Sequence, residues 1–315
     1  MSNILTLTMN PAIDLSTSTQ AVEPVRKLRC GATRREAGGG GINVARVAQR
    51  LGAHVTALYP VGGFVGQMLE RLVEGEGVRS VGTPIAGDTR EDFTVLDERT
   101  GQQYRFVLPG PQISEPEWTL CLARLADLAP DCDFVCASGS LPPGVPEDFY
   151  ARAAEVVRGR GAKFVVDTSG AALRATLKTK LYLVKPNLRE LQDLTGATLD
   201  DQASLLRACR ELISPNGAKV VALTLGSDGA MLVTADRAWR APALPVRVAS
   251  TVGAGDSFLG AMVWALASGS GLEAAFRHAM AGGAAALLAP GTGLAHAVDV
   301  RQLLDQVTIQ GLSET

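Results

Sequence analysis

Histidine, aromatic residues and excess charge are all scarce in this chain, and each scarcity removes a class of function. Three histidines (His54, His278, His296) are scattered through 315 residues with no H-E-x-x-H or other zinc spacing. A metal site built from His and Cys is therefore not expected. The five cysteines (Cys30, Cys121, Cys132, Cys136, Cys209) are an odd number without a C-x-x-C pair. That reads as a reduced, cytoplasmic protein, and the start MSNILTLTMNP lacks a basic-then-apolar leader. Thirty basic against thirty-two acidic residues leave a net charge of −2, so nothing global draws the chain to nucleic acid or membrane. Aromatics make up 5 %, and the basic stretch Arg26, Lys27, Arg29, Arg34, Arg35 has none interleaved, which disfavours a single-stranded nucleic-acid platform. No apolar run reaches membrane-spanning length without Gly, Arg or His. There is no Gly-Lys dipeptide, hence no P-loop, and neither D-F-G nor H-R-D of the protein kinases.

What is present centres on Ser250-Thr251-Val252-Gly253-Ala254-Gly255-Asp256-Ser257-Phe258, a glycine-rich turn opening the apolar helix 258–267. Peptide N–H groups at a helix N-terminus lack internal partners and carry partial positive charge, so such a turn attracts phosphate oxygens. An acid there would repel a phosphate, unless its work is to take a proton from a hydroxyl about to attack that phosphate. Two readings stay open on these nine residues: Asp256 as a helix cap, or Asp256 as a base at a phosphate site. Gly38-Gly39-Gly40-Gly41-Ile42-Asn43 leads into a second helix closed at Gly52, with either a hinge or a close backbone approach as its meaning. The last position of a G-x-G-x-x-G fingerprint is Asn43 here, and charged residues precede it, which argues against a nicotinamide site. Asn187 with Glu190 three residues on, after Lys185-Pro186, is a capping-box variant whose carboxylate could also hold Mg²⁺ through waters.

With 46 % hydrophobic residues the chain can bury a large core. Strand 4–8, strand 54–61 and helix 64–74 lead into a regular alternation from helix 115–127. That continues as strand 133–137, helix 146–158, strands 163–167 and 181–184, helices 187–194 and 201–213, and strand 219–224. A hairpin around Asp236, apolar helices 255–268 and 272–288 and a short terminal helix complete the chain. This pattern predicts an α/β fold with a mostly parallel sheet covered on both faces and ligands at the carboxyl ends of its strands. Residues 89–109 break the rhythm with two strands joined at 98–101. With segment 13–35 they are expected to form a small β-sheet lid (13–35 and 89–108) on a core made of 1–12, 36–88 and 109–315. Lys27 and Arg29 would share a face if their segment is a strand.

Gly39-Gly40 through Asn43 with Gly52 and Gly62, Asn187-x-x-Glu190, and Thr251-Val252-Gly253-Ala254-Gly255-Asp256-Ser257 resemble three ordered motifs of the ribokinase-like (PfkB) carbohydrate kinases. The resemblance covers essentially the whole chain. TLTMNPAID, Lys27-Leu28-Arg29-Cys30, Gln103-Tyr104-Arg105-Phe106 and Gly139-Ser140-Leu141-Pro142-Pro143-Gly144 are most similar to the family's 6-phosphofructokinase branch, and Gly40 stands where 1-phosphofructokinases and tagatose-6-phosphate kinases usually carry lysine. The resemblance implies a ribokinase-like three-layer α/β/α core, a lid that pairs protomers into a homodimer, and ATP·Mg²⁺ phosphorylating the 1-hydroxyl of fructose 6-phosphate. It makes Asp256 the base and Gly253, Ala254 and Gly255 the amides around the transferred group. Asp14, Gly39 and Asn43 would hold sugar hydroxyls, and Lys27, Arg90, Arg105 and Ser140 the 6-phosphate. Lys185, Asn187, Thr224, Gly226, Gly229 and Thr251 would line the nucleotide side, with Glu190 on the metal. Position 250 is Ser where many members carry Asp, which leaves a K⁺ site at this loop open. The alternatives are a 1-phosphofructokinase or tagatose-6-phosphate kinase, and a non-catalytic sugar-phosphate sensor on the same fold.

Overall fold

A computed structural model describes residues 3–312. Its sheet is built first from strands that are apolar on both faces. β1 (Asn3–Leu7) is followed by β2 (Ala12–Thr19), β3 (Arg34–Gly38), helix α1 (Gly40–Arg50), β4 (His54–Val61), α2 (Gly63–Gly75) and β5 (Arg79–Pro84). β6 (Arg90–Asp97) and β7 (Gln103–Phe106) come next, then α3 (Glu115–Leu128), β8 (Phe134–Ser138), α4 (Phe149–Arg158), β9 (Lys163–Asp167) and α5 (Gly170–Thr176). β10 (Leu181–Val184), α6 (Leu188–Thr195), α7 (Gln202–Glu211), β11 (Ala218–Thr224), β12 (Ala230–Val233) and β13 (Ala238–Ala241) lead to α8 (Ala254–Ala267), α9 (Leu272–Leu287), α10 (Ala297–Leu304) and β14 (Gln310–Leu312).

Ten strands form one sheet in the order β14-β13-β12-β11-β10-β9-β8-β1-β4-β5, parallel from β11 to β5 and antiparallel from β11 to β14. Successive buried residues of each central strand pack to opposite sides. Ile4, Val165, Leu183 and Val220 join α1, α2, α8, α9 and α10, while Leu5, Val166, Val184 and Val221 join α3 to α7. That is why these strands read as unbroken apolar runs, and it produces the three-layer α/β/α core.

Three elements escape the sequence pattern. β5, Arg-Ser-Val-Gly-Thr-Pro, is an edge strand too polar to be read as one, and its existence depends on pairing with β4. α5 is a two-turn crossover forced by the parallel pairing of β9 and β10, and β14 is three residues added to β13. Helix α4 begins at Phe149 rather than 146, because 146–148 form a turn ahead of it.

The second sheet has four strands, β3-β2-β6-β7, with β2 and β6 parallel and the outer pairs antiparallel. Its register sorts the side chains. Glu36, Asp14 and Asp92 form one cross-strand row, and Arg34, Ser16, Thr94 and Arg105 a second row two residues along β2, hence on the same face. Arg35, Leu15, Phe93 and Phe106 form the intervening row on the opposite face. Lys27 and Arg29 do not share a strand face: both are exposed in the loop between β2 and β3, where Pro24 removes a backbone donor and few apolar residues offer anything to bury.

Candidate active site

The parallel strands deliver their chain ends to one rim, and the second sheet hangs over it. Asn10 follows β1, Ser140 follows β8, Asp167 closes β9, Lys185 and Asn187 follow β10, and Thr224 closes β11. Two helices then point their N-termini at this rim. α1 starts after Gly39 (φ 106°) and α8 after Gly253 (φ 75°), both in the left-handed region that glycine tolerates best. Neither helix has a side chain capping its first turn, so both sets of orphan N–H groups remain available to an anion.

Asp256 does not cap its own helix. It sits in the first turn of α8, yet its Oδ2 accepts from Asn43 Nδ2 of α1 at 2.9 Å instead of turning back on its own helix. Burial, and then the Asp167 carboxylate, raise the Asp256 pKa from 3.8 to about 7, against the Asn43 hydrogen bond and the Lys185 charge. A base poised near neutrality is what proton abstraction from a sugar alcohol requires. Lys185 itself is 5 % exposed and its Nζ pairs with Asp167 Oδ2 at 3.1 Å. Burial works against its charge, and Asp167 restores it, holding the pKa above the ordinary lysine value.

The quadruple glycine makes a close backbone approach. A side chain on Gly38 would collide with the Asp14 carboxylate, and one on Gly40 with Ser138 Oγ, so the turn is pressed onto Asp14 and the end of β8. Asp14 is raised to about 6 by burial and by Asp92, against the charges of Arg105, Arg90 and Arg46. Arg46 is 2 % exposed on α1, one turn past Asn43. It binds Ala37 O at 2.7 Å, Glu36 Oε1 at 3.3 Å and Glu76 Oε1 at 2.7 Å, tying β3 to the core.

On the far side of Asp256 opens a cleft of about 710 Å³. Lys185, Asn187, Thr224, Gly226, Gly229 and Thr251, all six residues expected on the nucleotide side, line it together with Ala254 and Gly255. Most of its remaining wall is apolar and was not read from the sequence, with Leu244, Val246, Phe258, Met280, Ala284 and Leu287 among it. Glu190 completes a capping box, with Asn187 N donating to Glu190 Oε2 and Glu190 N to Asn187 Oδ1, both at 2.9 Å. Burial and the nearby Asp167 raise the Glu190 pKa, opposed by the Asn187 N–H and by Lys185.

The phosphate candidates are placed unevenly. Ser140 Oγ accepts from Asn10 Nδ2 at 3.1 Å, Arg105 is exposed on the Asp14 face of the small sheet, and Lys27 is in the outer loop. Arg90 is engaged with both Asp92 oxygens at 2.8 Å, Leu108 O at 3.0 Å and Asn10 O at 3.2 Å. Asp167 escaped the sequence reading. Its signal was its place at the carboxyl end of a buried strand, where ligand-facing residues of such sheets stand.

The model of the pfkB family carbohydrate kinases matches residues 5–297. The chain belongs to this family. As a pfkB-family kinase it is 44 % identical over 302 residues to the ATP-dependent 6-phosphofructokinase isozyme 2 of Mycobacterium tuberculosis, covering 96 % of this chain and 89 % of the relative. It is 32 % identical over 310 residues to a 1-phosphofructokinase of Borreliella burgdorferi, covering 98 % and 99 %. Among solved structures, phosphofructokinase-2 from Escherichia coli in complex with potassium superposes with a TM-score of 0.93 at 37 % identity, over 97 % of this chain and 99 % of that one. The ribokinase-like core with its additional small sheet is thus shared by this carbohydrate kinase and its relatives.

Proposed function

We propose that this kinase transfers the terminal phosphoryl group of ATP to the 1-hydroxyl of fructose 6-phosphate, giving fructose 1,6-bisphosphate. The observation that carries the reading is Asp256, half-buried, titrating near 7 and fixed by Asn43 between the cleft and the arginine-bearing sheet. Asp256 takes the hydroxyl proton as the oxygen attacks, and the Gly253, Ala254 and Gly255 amides stabilise charge on the transferred group. Lys185 offers its ammonium to the nucleotide phosphates. Asp14, Gly39 and Asn43 hold the sugar, while Lys27, Arg90, Arg105 and Ser140 serve the 6-phosphate; Asp92 occupies only Nη1 of Arg90. A lysine at 40, usual in the 1-phosphofructokinase and tagatose branches, would not fit against Ser138 on this backbone, which favours the 6-phosphofructokinase reading.

Mg²⁺ suits the donor set, because it prefers one or two carboxylates with waters and substrate phosphates over a protein cage. Glu190 would hold it through water, and the ion would neutralise phosphate charge when bound. A K⁺ ion at the 250 loop would depend on oxygens other than carboxylate, since Ser250 Oγ already donates to Gly291 O at 2.6 Å. Faster turnover in K⁺ than in Na⁺ is the expected sign of such a site.

Segments 12–38 and 89–108, rather than the expected 13–35 and 89–108 because β3 runs on to Gly38, act as a lid whose outer row Leu15, Phe93 and Phe106 is covered by a second copy of the chain. Tyr104 and Phe106 are exposed there, an apolar strand face that invites a partner. None of the described helices is long and apolar enough to cross a membrane. A cytoplasmic location is proposed on the odd number of cysteines without a C-x-x-C pair. A coupled assay with fructose 6-phosphate, fructose 1-phosphate and tagatose 6-phosphate tests the reading. Preference for either of the latter moves the enzyme to another branch, and no turnover of any leaves a sensor.

A further inference from the structure

Asn10 stands where the chain first leaves the core for the small sheet, between β1 and Pro11. Three contacts meet on it. Its Nδ2 donates to Ser140 Oγ at 3.1 Å, and its main-chain oxygen accepts from Arg90 Nη2 at 3.2 Å. Its Oδ1 lies so close to Gly110 that a side chain there would collide with it. Arg90 opens β6, and its Nη1 also reaches Leu108 O at 3.0 Å, just ahead of Gly110. Of the four stretches that join the two sheets, three, at residues 8–12, 85–90 and 107–111, therefore converge on this asparagine, the fourth being the Gly39 turn between β3 and α1.

The direction of the first bond matters. An amide nitrogen only donates, so Ser140 must answer with a lone pair, and its own proton is left to point elsewhere. Arg90 likewise keeps one donor in reserve: its Nε is buried and has no partner among the described residues. A hydroxyl proton and a guanidinium N–H, each fixed through Asn10 and each uncommitted, suit an anion that arrives with the substrate.

We infer that Asn10 is a positioning residue for recognition of the phosphate the sugar already carries, aiming Ser140 and Arg90 at it without touching it. The inference rests on the phosphosugar reading above and adds to it a residue that sets discrimination between phosphorylated and free sugar.

The experiment compares kcat/KM for fructose 6-phosphate and for unphosphorylated fructose at saturating ATP in wild type, Asn10→Asp, Ser140→Ala and the double variant. Asn10→Asp is nearly isosteric but replaces the donor with an acceptor that claims the Ser140 proton. It is expected to raise KM for fructose 6-phosphate roughly 10–100-fold, the loss of a charge-assisted hydrogen bond, with kcat, the KM for ATP and the efficiency on fructose changed less than about threefold. Adding Ser140→Ala should cost little more, because both changes remove the same bond. If Asn10→Asp does not fold, Asn10→Ala carries the test, with a KM rise of roughly 3–10-fold. Equal losses on both sugars, or fully additive losses in the double variant, overturn the inference while the phosphosugar reading stands. A wild-type enzyme that does not prefer fructose 6-phosphate over fructose overturns both.

Discussion

The two sides of Asp256 are built from opposite materials. The cleft side is wide, walled by Leu244, Phe258, Met280, Ala284 and Leu287, and formed by elements of one rigid core. The other side is crowded with charge: Asp14, Asp92, Arg90 and Arg105 come from the small sheet, while Asn43 and Arg46 come from the helix beneath it. An apolar wall with few polar groups suits a flat, heterocyclic ligand held by shape. A charged face on a separate sheet suits a small polyhydroxylated anion, whose recognition costs too much desolvation unless every charge is met. In the proposed mechanism Asp256 serves both, which is why its loss should be the most damaging.

Asp256→Asn is expected to lower kcat roughly 10²–10⁴-fold with nucleotide affinity nearly intact, as steady-state kinetics and nucleotide titration would show. Retained turnover would remove the base and dissolve the boundary between the two sides. The same carboxyl gives two pH signatures. Because it works deprotonated, kcat/KM for the sugar should climb about tenfold per pH unit at low pH and level off above about 7. Because its folded pKa lies above the unfolded value of 3.8, the folded protein binds a proton the unfolded chain releases between about pH 4 and 7. Stability from this group is therefore lost as pH rises through that window. Without ligands, Asp256→Asn should melt higher than wild type at pH 8 and alike near pH 4.

Next in size, Arg105→Ala should raise KM for the phosphosugar roughly 10–100-fold and leave the KM for ATP unchanged. An effect on ATP alone would place Arg105 on the wrong side of the comparison. Ala284→Leu is the mirror experiment: added bulk in the cleft wall should raise the KM for ATP by roughly tenfold and spare the sugar. Smallest should be Glu190→Gln, which keeps an acceptor for the Asn187 N–H. A melting temperature within a few degrees of wild type, with half-saturating Mg²⁺ shifted upward, would separate the metal role from the cap. Phe106→Lys should turn the proposed dimer into monomers by light scattering, with a melting temperature that no longer rises with protein concentration, since Phe106 is 52 % exposed within one chain.

Much of the site was legible because its residues lie in short runs with fixed local geometry. Gly253 to Asp256 could only be a turn into a helix, and Asn187 with Glu190 could only be a cap with a carboxylate at the rim. The apolar strands betrayed a parallel sheet, and the sheet told where ligands go. The missed parts depend on neighbours far away in sequence. β5 is a strand only because β4 offers an edge, and Asp167 matters only because Lys185 and Asp256 lie beside it.

By itself, then, the sequence determined the α/β core, the hairpin of β6 and β7 and the helix-opening turn, since periodicity and glycine placement act over a few residues. Tertiary structure decided that Asp256 does not cap its own helix: Asn43, 213 positions away, supplies the hydrogen bond that holds the carboxylate. It also decided which lid side chains share a face with Asp14. Register fixes that, and register is set by pairing between distant strands.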